Sequence, residues 1–511
     1  MSNNIRLRFA PSPTGPLHIG GLRTALYNFL ISKSLGGKFI IRIEDTDRKR
    51  FDQRAEKHIL DSLEWCGIIP DEGPLNGGNY GPYRQSERKE IYQKRIKKLI
   101  ENGDAYYAFD KTDELDKQRK LSEKRGETFI YNWENRAKFK NSFTLSEEET
   151  KNLIRSGDYV IRYKTYNEGE QNDIVVSDEI RGEIKINLKL LDDKIIFKKD
   201  GMPTYHFANV VDDYEMKISH VVRGEEWLPS LALHFLLYKS FNWNPPKFAH
   251  LPLILKPTGK GKLSKRDGEK YGIPVYPITW EGSSKKFEGF REVGFENSSL
   301  INFISLIGWN PGDEKEIFSL DELIKSFDIK RIIKGGAKYD YDKAIWFNQE
   351  HLKKITSDDI FKHIEKGIDN NELVNENKID TLISLAKERV SFKKEIFDEC
   401  LNIISYSEDD ILENMKKINF TDHILKTIKD FIKNLKEFKN SNSVKLKENY
   451  FNKLKENNIK IGDGMKSLRV MITGKISGPD LFTILEIIKR EILIIRLEKS
   501  IKIINDQNRN Y

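Results

Sequence analysis

Two stretches of this chain carry residue types and spacings that can do chemistry, Pro11 to Gly21 (PSPTGPLHIGG) and Lys262 to Arg266 (KLSKR). In the first, prolines and glycines force a tight turn, and His18 to Gly21 open a helix. Such a turn leaves backbone N–H groups unpaired at a positive helix end, which suits a phosphate. Gly20 and Gly21 let a flat adenine or ribose reach the backbone. His18 is placed to donate a hydrogen bond to an α-phosphate oxygen as charge builds there. In the second stretch, Lys262, Lys265 and Arg266 surround Ser264 in a loop bracketed by Gly259, Gly261 and Gly268. Two ammonium groups on such a loop can close over a departing pyrophosphate. It is not a Walker loop, because Leu263 stands after Gly261-Lys262 where Ser or Thr is required. Each stretch alone has a plainer reading, a histidine that caps a helix and a solvated lysine-rich loop. The pair, in this order and each beside an αβ segment, points to nucleotide chemistry.

The elements that must position these residues follow from periodicity. Ile5 to Ala10 alternates basic and apolar residues, as a half-buried strand does. Pro11 to Pro16 can continue neither strand nor helix. Leu22, Ala25, Leu26, Phe29 and Leu30 recur at helical spacing until Gly36-Gly37 stop the helix, and Phe39 to Ile43 is a short apolar strand. Together they predict a β-α-β unit with parallel strands. Ser86 to Ile100 reads as a basic amphipathic helix, and residues 106–200 as a polar, strand-rich insertion. A further αβ segment runs from Thr204 to the loop at 257–268. After about residue 345 the pattern is helical, with Ile424, Ile428, Phe431 and Leu435 on one stripe and Lys426, Lys429, Lys433 and Lys436 facing elsewhere. Glu437 to Asn458, rich in Lys, Asn and Ser, reads as a solvated hairpin or linker.

Composition excludes several classes. The chain has 511 residues, 38% hydrophobic and 32% charged, with 28 Phe and 20 Tyr, too aromatic for a disordered chain. Only Cys66 and Cys400 are present, which rules out a disulfide scaffold and four-cysteine zinc modules. The most apolar stretch, Ile484 to Ile504, carries eight charges, so no membrane span is expected. Met1 to Phe9 has no apolar signal core, and the expected location is the cytoplasm. A net charge of +8 allows a polyanionic partner without demanding one.

With these stretches in hand, the chain resembles a class I aminoacyl-tRNA synthetase, and within that class the bacterial-type glutamyl-tRNA synthetases. The resemblance rests on RFAPSPTGPLHIGGLRTALYN (8–28), RIEDTDR (42–48), GPYRQSER (81–88), PTYHFANVVDD (203–213), VVRGEEWLPS (221–230), HLPLILKPTGKGKLSKRDG (250–268) and ISGPDLF (476–482), spread over essentially the whole chain. It implies an α/β multidomain protein. A Rossmann-like parallel-sheet catalytic domain (1–100 and 201–275) would be split by an inserted α+β domain that binds the acceptor end (101–200). A connecting, stem-contacting domain (276–345) and an all-helical anticodon-binding region (346–511) would follow. The implied activity is glutamate activation by ATP with Mg2+, then transfer to the terminal adenosine of tRNA(Glu). Exchange activity that requires tRNA is expected. A non-discriminating enzyme that also charges tRNA(Gln), a nucleotidyltransferase and a non-catalytic RNA-binding paralogue stay open.

Residue by residue, the resemblance implies catalysis by His18, Lys262 and Lys265. ATP binding would use Pro11, Ser12, Thr14, Gly15, His18, Gly20, Gly21, Trp227, Ser264 and Lys265. Arg8 and Tyr205 would meet the side-chain carboxylate of glutamate, Glu44 its ammonium, and Arg223 and Asn209 its α-carboxylate. For Arg223 the alternative is pairing with Glu225 and Glu226. For Arg8, at the end of the first strand, an anion is favoured unless a buried partner exists. Some relatives carry a zinc cluster in the insertion, but residues 100–200 contain neither Cys nor His, so no structural zinc is expected. The Pro11-Ser12-Pro13 loop and helical C-terminal third argue against the glutaminyl and the eukaryotic or archaeal branches. A monomer is expected.

Overall fold

The computed structural model describes residues 5–282, 285–357, 359–360, 372–437 and 443–509. It divides into two units, residues 1–293 with 297–344, and residues 294–296 with 345–511.

In the first unit, β1 (Arg6–Phe9), α1 (Ile19–Ser34) and β2 (Lys38–Ile41) form the expected β-α-β unit, with Arg6 to Phe9 paired in parallel to Lys38 to Ile41. Gly36 ends α1 in the left-handed region at φ +66, which a side chain would resist. Next come α2 (Gln53–Trp65) and α3 (Lys89–Glu101). The insertion carries β3 (Ala105–Ala108), α4 (Thr112–Lys124), α5 (Glu147–Ser156), β4 (Val160–Tyr163), β5 (Asp173–Asp178), β6 (Gly182–Asn187) and β7 (Ile195–Phe197). Then follow α6 (Tyr205–Glu215), β8 (His220–Gly224), α7 (Leu228–Ser240), β9 (Lys247–Leu251), β10 (Ile254–Leu255) and α8 (Lys265–Tyr271).

The main sheet has the order β2-β1-β8-β9-β5-β6, parallel except for β6. The insertion thus does two things. Its strands β3, β4 and β7 make a separate antiparallel sheet, while its β5–β6 hairpin extends the main sheet, with Asp178 opposite Phe248.

β1 is not half-buried. Arg6 and Arg8 are as buried as Leu7 and Phe9, because each finds a carboxylate. Arg6 forms a two-pronged pair with Glu72, and Arg8 one with Asp213. A carboxylate partner offsets much of the cost of burying a guanidinium. α1 is likewise covered on more than one stripe. Asn28 donates to the carbonyl of Val222, while Tyr27 and Arg23 reach the carbonyl of Ile307 in the 297–344 segment.

The second unit is helical. Ile424, Ile428, Phe431 and Leu435 of the helix Asp422–Glu437 are buried in its core as their spacing predicts. The linker reading of Glu437 to Asn458 is corrected. Residues 438–442 lie outside the described residues, but Ser443–Glu456 is a helix that buries Leu446, Tyr450 and Leu454 in the same core. These three recur every four residues, a stripe masked by the surrounding Lys and Asn. Among the described residues no helix is long and apolar enough to cross a membrane.

Candidate active site

A cavity of about 560 Å³ opens at the C-terminal ends of β1 and β8, where parallel α/β sheets bind ligands. Its wall includes every candidate residue named above except Thr14, which is exposed and off the wall.

At one end the first signature meets the second. His18 caps α1, its Nδ1 accepting from Gly20 N at 3.2 Å. That bond leaves the ring proton on Nε2, a buried atom with no hydrogen-bond partner. Burial lowers the His18 pKa to about 4, and Lys265 and Lys262 push the same way against the Ser264 backbone and Asp267. At neutral pH His18 is therefore uncharged, with its donor Nε2 buried in the cavity wall beside the Ser264 backbone. The loop before it is tied down, with Glu44 N donating to Pro11 O, Asp52 N to Pro13 O, and Leu17 N to His58 Nδ1.

Across the cavity, Leu255 pairs with Lys262 to close a hairpin. The second signature then turns helical sooner than a Gly-bracketed loop predicts. Ser264 caps α8, with Asp267 Oδ2 accepting from both its N and its Oγ. Gly268 lies inside that helix against Val275. Lys265 is the first residue of α8, and its Nζ would stand 2.7 Å from a Cβ added at Gly15. The two signatures thus touch, and a glycine at 15 makes the room. Burial lowers the Lys265 pKa. Lys262 pairs with Glu226 at 2.6 Å.

The other end is built on α6, where Tyr205, Asn209 and Asp213 recur every four residues on one face. Asp213 binds both Arg8 and Arg42, Glu44 accepts from Arg42 at 3.1 Å and Asn209 at 2.8 Å, and Asp212 accepts from Arg88. Three buried arginines (Arg8, Arg42, Arg88) thus face three buried carboxylates (Glu44, Asp212, Asp213), and their charges cancel. Burial raises the Glu44 pKa against the pull of Arg42, the Asn209 hydrogen bond and Arg8. Asn209 Oδ1 is buried without a partner. With its nitrogen committed to Glu44, Asn209 offers an acceptor, which suits an ammonium better than the carboxylate expected for it.

Arg223 differs from the arginines of this cluster, Arg8, Arg42 and Arg88. It is 5% exposed, and among the described residues no carboxylate lies within ion-pair distance of it. Its contacts are His250 Nε2 at 3.1 Å, His234 Nδ1 at 3.2 Å, Tyr205 Oη at 3.3 Å and the Trp227 carbonyl at 3.4 Å. Burial lowers its pKa, with Arg8 adding to the effect. The alternative pairing with Glu225 and Glu226 is not formed, since Glu225 binds Arg181 and Glu226 binds Lys262. The pairing of the two arginines is therefore the reverse of what their sequence neighbours suggest. Arg8 has a buried carboxylate partner, whereas Arg223, like Arg23 on the same cavity wall, has none within ion-pair distance among the described residues. Trp227 stacks at a tilt on Tyr205, 4.4 Å between centroids, and closes this wall.

Sequence reasoning passed over Arg42 and Asp213, although both lie within stretches quoted above. It also passed over Asp178, His234 and His250, whose roles depend on contacts between elements far apart in the chain. Among the described residues no group of three or more His, Cys, Asp or Glu side chains is placed to hold a metal ion.

A parallel α/β sheet with a cavity at a helix mouth, two lysines at its wall and an adjoining polar pocket is suited to activating a small acid with a nucleotide. The profile of the class I tRNA synthetase (E and Q) catalytic domain matches residues 4–346, and that of an anticodon binding domain matches 347–501. The glutamate–tRNA ligase of Christiangramia forsetii is 46% identical over 509 residues, covering 98% of this chain and 99% of the relative. That of Bacteroides thetaiotaomicron is 43% identical over 515 residues, with 98% and 99% covered. The crystal structure of a glutamate tRNA ligase from Elizabethkingia meningosepticum, in complex with its amino acid, superimposes with a TM-score of 0.87 at 43% identity, covering 98% of this chain and 99% of that one. The chain belongs to the class I aminoacyl-tRNA synthetases and, within them, to the glutamate–tRNA ligase family.

Proposed function

We propose that this chain attaches L-glutamate to tRNA(Glu) in two steps. A glutamate α-carboxylate oxygen attacks the α-phosphorus of ATP, the bond to the bridging oxygen breaks, and pyrophosphate leaves. A hydroxyl of the terminal adenosine of tRNA then attacks the glutamyl carbonyl, and AMP leaves. The substrate supplies the nucleophile, so the protein contributes positioning and charge stabilisation.

The observation that carries this reading is the buried, unpaired charge of Arg223 beside a cluster whose other charges cancel. Glutamate brings two carboxylates and one ammonium, and a buried guanidinium with no carboxylate of its own suits one of those carboxylates. Arg223 and Arg8 would hold the carboxylates, with Tyr205 as a further donor, while Glu44 and Asn209 Oδ1 would take the ammonium. At the nucleotide end, His18 Nε2 would donate to the α-phosphate, with Gly15, Gly20, Gly21, Pro11 and Ser12 flanking it and Trp227 beside the adenosine. Lys265, Lys262 and Ser264 would neutralise the leaving pyrophosphate. Mg2+ would enter on the triphosphate, as this ion usually does.

The 101–200 segment would take the acceptor end, 276–345 the stem and 346–511 the anticodon, in a cytoplasmic monomer. Exchange between ATP and pyrophosphate separates the readings. Exchange on glutamate that appears only with tRNA supports the ligase. Exchange without tRNA points to a nucleotidyltransferase, and none at all to a non-catalytic paralogue. Charging assays with tRNA(Glu) and tRNA(Gln) decide whether the second is also a substrate.

A further inference from the structure

Arg223 is held by a chain of hydrogen bonds running behind the cavity wall. Asp178 Oδ2 lies 2.6 Å from His250 Nδ1, and His250 Nε2 accepts from Arg223 Nε at 3.1 Å. On the other side Arg223 Nη1 lies 3.2 Å from His234 Nδ1, and His234 Nε2 lies 3.2 Å from His206 Nδ1. One set of ring protons satisfies all of these contacts. His250 donates from Nδ1 to Asp178 and accepts at Nε2, while His234 accepts at Nδ1 and donates from Nε2 to His206. Asp178 is fixed in turn by the N–H groups of Ile180 and Arg181, at 3.0 and 2.8 Å. His234 and His250 are 1% and 0% exposed, and neither lines the cavity.

Resting on the reading that Arg223 meets a substrate carboxylate, we propose that His250 and His234 are positioning residues that fix the Arg223 guanidinium through imidazole nitrogens instead of carboxylates. The buried arginines beside it, Arg6, Arg8, Arg42 and Arg88, are fixed by Asp or Glu, which cancels their charge, while Arg23 elsewhere on the cavity wall is held by the carbonyls of Pro252 and Ile307. A guanidinium that must hold an incoming anion needs the same rigidity without the cancellation, and two uncharged acceptors supply it. Burial lowers the pKa of both rings, and Arg223 adds to the effect, so both accept at neutral pH. Asp178 stands one residue further back, where it sets the tautomer of His250 without touching the guanidinium. This also gives a use to the β5–β6 hairpin, which brings Asp178, the last residue of β5, to the main sheet.

The test uses the opposite geometry of the two acceptors, since a glutamine amide oxygen reaches the Nε2 position of a histidine and an asparagine oxygen the Nδ1 position. At 250, H250Q keeps the acceptor for Arg223 and H250N loses it. At 234 the order reverses, so H234N keeps the acceptor and H234Q loses it. Exchange is measured with tRNA present, in the full-length protein, over glutamate and ATP concentrations. A lost hydrogen bond to a buried charge corresponds to roughly 10- to 100-fold. H250N and H234Q are expected to raise the glutamate KM by that much and leave the ATP KM within about twofold. H250Q and H234N are expected to stay close to the parent.

Equal effects of Asn and Gln at both positions, or glutamate and ATP KM rising together, would overturn the proposal in favour of plain packing. R223Q is the control for the underlying reading. If R223Q raises the glutamate KM and none of the histidine variants does, the positioning role fails and the carboxylate assignment stands. If R223Q leaves that KM unchanged, the assignment itself falls.

Discussion

Lys265→Ala is expected to separate catalysis from stability. Lys265 is the first residue of α8, where an ammonium opposes the helix dipole, and it is exposed, with no hydrogen bond or ion pair of its own among the described residues. Although the side chain as a whole is exposed, partial desolvation where its Nζ approaches Gly15 lowers its pKa. A lysine whose folded pKa lies below its unfolded value costs stability while it is charged, a cost that disappears as pH rises through the folded pKa. At neutral pH its removal should therefore leave folding free energy within about 0.5 kcal/mol of the parent, on the neutral or stabilising side. Loss of one preorganised charge at a transition state costs about 100- to 1,000-fold in rate. The assay is single-turnover adenylate formation alongside thermal unfolding. The expected result is a rate lower by that factor at an unchanged melting temperature. A parallel loss of both would refute the argument, because it would make Lys265 a structural residue.

Further outcomes follow from the same geometry. His18→Asn keeps an acceptor for Gly20 N, so stability should hold while adenylate formation slows by about 100-fold, whereas His18→Ala also loses the cap, at about 1 kcal/mol. Because the His18 pKa is about 4, the parent rate should show no His18 titration between pH 6 and 8, and an inflection near pH 6.5 that His18→Asn abolishes would contradict this. Glu44 binds an ammonium only when ionised, and burial raises its pKa. The kcat/KM for glutamate should therefore fall with decreasing pH from above the usual carboxylate range, and Glu44→Gln should lose most of it at every pH. Affinity for tRNA, measured by filter binding, should fall steeply with salt, whereas the ATP KM should change little.

Much of the site was legible because its parts are local. A Pro/Gly turn before a helix and a lysine cluster after a strand can each be read from neighbouring residues, and so can the helical spacing of Ile424, Ile428, Phe431 and Leu435. What escaped is long-range charge pairing. The alternation in β1 suggested a solvated basic face, because nothing near Arg6 or Arg8 in sequence announces Glu72 or Asp213. Arg223 was harder to assign because Glu225 and Glu226 are its sequence neighbours, whereas the fold turns both toward other cations. Composition misled at Ser443–Glu456, where abundant Lys and Asn hid three core residues at helical spacing. Local pattern fixes the elements, and only tertiary pairing decides which buried charge is left over for a ligand.

A crystal structure of the protein with glutamate and a non-hydrolysable ATP analogue bound together tests the central claim most directly. It should place a glutamate carboxylate on Arg223 and the ammonium on Glu44. The same structure should show the α-phosphate at His18 Nε2 and the terminal phosphates against Lys265. Glutamate bound without contact to Arg223, or a triphosphate lying away from the junction of Gly15 and Lys265, would contradict the account.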